Sequence, residues 1–189
     1  FRFVWDSPKD GDSIMAIIEA IATEYLELDS ATVEWTSIPS TYESLAINAK
    51  VRTTDSSQKS IYLQFGTGGG AVDTGNNYSI CVRYSGSSNY SSVNVSSGEL
   101  RIYYIIPSSS DNSNTFGQAN ITISDYANSN KNATIQCNEG RAHPSGQRVG
   151  FTGGVWDNTA AVDRIKIYGQ SSVSFGRGSE FTLYGIKSS

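Results

Sequence analysis

The rhythm of the apolar residues most constrains what this chain can fold into. They come in short runs, apolar at every second position, broken by Gly, Ser, Asn and Asp. Leu100, Ile102 and Tyr104 fall on one face of such a run, and Ile121 and Ile123 on one face of another. A period of two is that of a pleated strand with one face buried. The apolar residues themselves agree: there are 17 Ile, 11 Val and 11 Tyr against 6 Leu and 1 Met. β-Branched and aromatic side chains fit a half-buried pleated surface, and the scarce Leu, Met, Glu and Lys are the helix formers. This argues against a helical bundle and a Rossmann-type enzyme. It also argues against disorder, which lacks this apolar content.

Strand signals recur over residues 32–35, 45–52, 61–65, 78–84, 100–106, 120–126 and 133–137. They continue over 148–151, 162–168, 173–175 and 181–186. Residues 14–22 have helix-like composition, but the alternation that follows through 25–28 favours a strand, with a short N-terminal helix as the alternative. The connectors are turn chemistry, among them residues 66–70, 86–89, 108–114, 128–132 and Gly153-Gly154. Roughly ten short strands so punctuated predict an all-β antiparallel sandwich, with a jelly roll the favoured winding. A length of 189 residues fits one domain. Residues 1–14 read as a separate N-terminal arm and 15–189 as the sandwich.

Charged residues are only 17% of the chain and the net charge is −4. Phosphate binding needs concentrated Lys and Arg, so a nucleic-acid partner is not expected. No apolar window reaches the ~18 residues of a membrane helix, and the arm has no signal-peptide pattern. The single histidine, His143 in GRAHPSG, has no nucleophile elbow nearby and reads as a loop residue. Cys81 and Cys137 both lie in strand signals and read as buried free thiols. Asp6, Asp10 and Asp12 miss the calcium-loop pattern, with Ile17 where a Glu is required. The glycine run 66–70 lacks the Lys-Ser/Thr of a phosphate loop. Pairs such as Asp157 with Asp163, or Glu34 with Glu43, carry no catalytic pattern in sequence alone. No catalytic residue, metal or cofactor is therefore expected.

Two features could bind a partner. Phe1, Phe3, Val4 and Trp5 form an apolar cluster on an otherwise polar arm, suited to docking on a neighbour. Tyr103, Tyr104 and Trp156 could stack on sugars, although core packing is the default for strand aromatics. Sequons at Asn77, Asn89, Asn94, Asn120 and Asn132 are little above chance.

Residues 32–45, TVEWTSIPSTYESL, run an alternating strand into I-P-x-x-Y-x-x-L. Near the C-terminus come Gly153-Gly154-Val155-Trp156, then Ala160-Ala161-Val162-Asp163-Arg164-Ile165-Lys166-Ile167. Phe175, Gly178-Ser179 and Phe181-Thr182-Leu183-Tyr184-Gly185-Ile186 close the chain. Together these resemble small β-rich structural proteins of tailed phages, of the capsid-decoration or tail-appendage type. The resemblance implies a jelly-roll-like domain on the outer surface of a virion, often trimeric, whose partners are other virion subunits and whose function is non-enzymatic. A glycan- or receptor-binding module of a tail appendage, meeting a host surface glycan, is the alternative.

Overall fold

The computed structural model describes residues 16–86, 89–112, 114–142 and 147–188. The arm residues Phe1, Phe3, Val4 and Trp5, together with His143, lie outside the described residues. The strands are β1 (Ala16–Tyr25), β2 (Thr32–Thr36), β3 (Ser44–Val51), β4 (Lys59–Gly66), β5 (Tyr78–Gly86) and β6 (Tyr90–Ser97). They continue as β7 (Leu100–Ile106), β8 (Gly117–Ser124), β9 (Ala133–Arg141), β10 (Arg148–Trp156), β11 (Arg164–Gly169) and β12 (Glu180–Ser188).

Two antiparallel sheets form a sandwich. The larger runs β1-β12-β3-β8-β9-β10-β5-β6 and the smaller β2-β11-β4-β7. The chain crosses between sheets again and again: β1, β3, β5–β6, β8–β10 and β12 lie in the large one, and β2, β4, β7 and β11 in the small one. This winding is compatible with a jelly roll.

Alternation places the core between the sheets. Val33 and Trp35, Leu45, Ile47 and Ala49, Leu63 and Phe65, Ile121 and Ile123, and Phe181 and Leu183 all point inward and are buried. Each large apolar side chain so buried is worth about 1.5–3 kcal/mol relative to exposure. Gly185 in β12 is required by close approach, since a Cβ there would sit 2.4 Å from the Tyr42 ring. Gly178 adopts φ +86°, a left-handed turn leading into β12.

Several sequence expectations need correction. Residues 173–175 are not a strand: a 3-10 turn at Gln170–Ser172 holds Ser171 and Ser172 at φ 59° and 57°. Phe175 then makes only isolated bridges, to Ser30 and Thr53. The alternation near Tyr25 stops there, and Leu28 is 79% exposed. Gly153 and Gly154 continue β10 instead of turning it, because a Cβ on Gly154 would meet Leu100 at 2.7 Å across the sandwich. Cys81 is exposed, and only Cys137 is buried. The reason is register: Cys81 pairs with Gly153 and Val93 on the outer face of the large sheet.

Candidate functional site

β7 is an edge strand of the small sheet, and its pairing with β4 shifts register between Lys59 and Ile61. Tyr104 sits at this irregularity with φ +47°, an uncommon backbone for a bulky residue. The fully buried Ser60 hydroxyl supports it, accepting hydrogen bonds from Tyr104 N at 3.0 Å and Arg101 Nε at 3.2 Å. The bulge lets the adjacent Tyr103 and Tyr104 both face this end of the sandwich.

The result is a continuous stack of tyrosine rings and guanidinium groups. Arg101 lies 4.2 Å from the Tyr103 ring centroid and 5.5 Å from those of Tyr62 and Tyr104. Tyr103 leans on Tyr90 at 6.0 Å, and Tyr90 stacks on Tyr84 at 4.9 Å. Arg148 of β10 covers the other side of Tyr84, 3.8 Å from its centroid, and reaches Tyr104 at 5.4 Å. Burial raises the Tyr103 phenol, against the opposing charge of Arg101.

Beside this stack, β9 turns two charges inward. Its register continues Ile135 and Cys137 into Glu139 and Arg141, which are buried. Glu139 has room only because Gly150 lies opposite; a Cβ there would be 2.6 Å from its Oε1. Glu139 Oε2 accepts from Thr152 Oγ1 at 3.3 Å. Burial pushes the Glu139 carboxyl up to about 7, despite hydrogen bonds from Cys137 and Thr152 and the charge of Arg148. Arg141 Nη2 donates to Gln58 Oε1, while its Nε and Nη1, and Nη1 of Arg148, are buried without an acceptor among the described residues.

Two clefts open here. One of about 530 Å³ is bordered by Ser56, Ser110, Asp111, Tyr104 and Arg148. The other, about 710 Å³, is bordered by Glu139, Arg141 and again Arg148.

Of the three residues considered as sugar platforms, the structure brings Tyr103 and Tyr104 to this site and removes Trp156. Trp156 is 1% exposed, lies 5.6 Å from Phe65 and stacks on Tyr78 at 6.3 Å. Its Nε1 donates to Asp73 Oδ2 at 2.8 Å. Burial alone would raise the Asp73 carboxyl; hydrogen bonds from Asn77, Trp156 and the Gly75 N–H outweigh it and hold it below the usual range. Asp157, Asp163 and Glu34, singled out by sequence, have partners within the fold. Asp157 accepts from Asn132, Asp163 from Gly69 N–H, and Glu34 pairs with Arg164 at 3.0 Å. Sequence reading missed Arg148, Arg141 and Glu139. Charged residues continuing the inward phase of β9 were the available signal.

A second surface is the outer face of β1, β12, β3 and β8. Register sets its rows: Ile18, Ile186, Ser44 and Ser124; Ala20, Tyr184, Ala46 and Thr122; Thr23, Thr182, Asn48 and Asn120. None of these twelve residues is charged. Charge enters only in the fourth row, where Glu180 and Lys50 lie 3.9 Å apart. Ile18 is 66% exposed, and a hollow of about 320 Å³ lies among Ile18, Tyr184, Ile186, Ala46 and Thr122.

No protein-family model matches the chain, and no curated protein matches it.

Proposed function

We propose that the protein is a non-enzymatic structural component of a tailed-phage virion, a jelly roll on the outer surface of head or tail that binds and stabilises neighbouring subunits. We further propose that it does so as a homotrimer, packed through the outer face of β1, β12, β3 and β8. The observation that carries this reading is the three uncharged rows of that face. When copies of one chain meet, every charge on the contact is brought near its own copies. A self-associating face therefore favours apolar and short polar side chains. The hollow around Ile18, Tyr184 and Ile186 supplies apolar area to bury. Binding only to the assembled particle would stabilise it by mass action, with Phe1, Phe3, Val4 and Trp5 as the anchor.

The test is the native mass in solution, followed by immunogold labelling of intact particles. The expected mass is a three-fold multiple of 20.4 kDa. Ile18→Glu with Ile186→Glu should return the monomer, and deleting residues 1–13 should abolish labelling of particles. A wild-type monomer that labels no particle overturns the proposal.

The stack of Tyr84, Tyr104 and Arg148 favours a second reading, a glycan-binding module of an appendage. Tyrosine rings and hydroxyl-lined clefts are suited to sugars.

A further inference from the structure

We infer that the cleft beside Tyr104 takes a saccharide bearing a carboxylate, and that Arg148 grips the carboxylate. This rests on the second reading above, that this end of the molecule binds sugar.

Arg148 carries the argument. Its guanidinium is held on Tyr84 at 3.8 Å, and its Nη1 is buried with no hydrogen-bond acceptor among the described residues. A partly buried cation is costly unless paired. Stacking fixes the plane of the guanidinium, and Arg148 lines both clefts. A planar fork held in place is what bidentate carboxylate recognition requires.

Arg141 adds a second, independent observation. It is 7% exposed and lines the larger cleft, with two guanidinium nitrogens lacking acceptors among the described residues. Burial and the neighbouring charge of Arg148 push its guanidinium down.

The remaining lining fits the rest of a sugar. Ser56 and Ser110 offer hydroxyl and backbone groups, and Tyr104 offers a ring. The carboxylate of Asp111, whose Oδ2 accepts from Ser108 N at 2.9 Å, disfavours a dianion. A phosphate would meet more repulsion here than a single carboxylate.

Titration calorimetry on the full chain tests this. The probes are oligosaccharides of galacturonate, glucuronate and sialic acid, their carboxyl-reduced neutral counterparts, and a sugar phosphate. We expect dissociation constants of ~1 mM or tighter for at least one carboxylated probe, and binding weaker by at least about tenfold for its neutral counterpart. Arg148→Lys keeps the charge but removes the fork, and should also weaken binding by about tenfold. The comparison of probes on wild-type protein stands even if the variant fails to fold. Equal binding of the neutral counterpart would overturn the carboxylate assignment and leave the sugar reading intact. Tighter binding of the sugar phosphate would overturn the charge argument. Absence of binding by every probe at ~10 mM would sink both.

Discussion

The hydroxyl of Tyr126 donates to the Pro39 carbonyl at 2.5 Å and accepts from Tyr42 N at 3.2 Å. One buried side chain thus closes the turn between β2 and β3 from 87 residues further along the chain. Pro39 has no N–H of its own, so its carbonyl is the group the turn offers to the interior. Tyr126→Phe should leave that carbonyl and the Tyr42 N–H unsatisfied, at a cost of about 1–3 kcal/mol. Urea unfolding would show a lower midpoint at an unchanged slope. An unaltered midpoint would mean the turn holds without this bond.

Gly185→Ala should destabilise the protein by about 1–3 kcal/mol, because the added methyl displaces the Tyr42 ring. The same step would break the 2.8 Å hydrogen bond from Tyr42 Oη to Glu19. In a Tyr42→Ala background the penalty should largely vanish. A double-mutant cycle by thermal unfolding reads this coupling directly, and additive effects would refute it.

Glu139 predicts a pH dependence of stability. Its carboxyl lies at 4.5 when unperturbed and at about 7 in the fold. Between those values the folded chain holds more protons than the unfolded one. The carboxyl's contribution is therefore complete below about pH 4.5 and is lost as pH rises through about 7. Stability should fall across that window by a few kcal/mol at most, on the order of the shift itself. Glu139→Gln should flatten the decline. Chemical unfolding at a series of pH values checks both, and a flat wild-type profile would count against the buried acid.

The two thiols should differ in reactivity. Cys81 is exposed on the large sheet, whereas burial pushes the Cys137 thiol well up, with Glu139 adding to the effect. An aromatic disulfide reagent should modify Cys81 in the native protein and Cys137 only after unfolding. Equal rates for both would contradict the register of β5 and β9.

Much of the sandwich was legible because its inward positions are Ile, Leu, Val and Phe at a period of two, as in β3, β4, β8 and β12. β6 was not. In YSSVNVSS only Tyr90, Val93 and Val95 are apolar, all three are exposed, and the strand lies at the sheet edge with no buried face. Its strand character comes from pairing with β5, which one segment's composition does not reveal. The candidate site was half legible. Tyr103 and Tyr104 stood out as adjacent aromatics, but the bulge at Ser60 that spreads them is a tertiary effect. Arg148, Tyr84 and Tyr104 come from three strands far apart in sequence. Trp156 misled because an indole buried among Phe65 and Tyr78 reads in sequence like one on a surface.

β1 pairs with β12 so that Ala16 faces Ser188, which places both ends of the described chain at one corner of the large sheet. Arg148 lies four strands away from β12 and at the opposite end of its strand. From strand spacing and rise the two corners are roughly 30 Å apart. A tether joined at Ala16 or Ser188 would therefore hold the molecule by its heel, with the tyrosine–arginine end turned outward. Fusion partners, surface immobilisation and circular permutation can all use that corner while leaving the clefts clear.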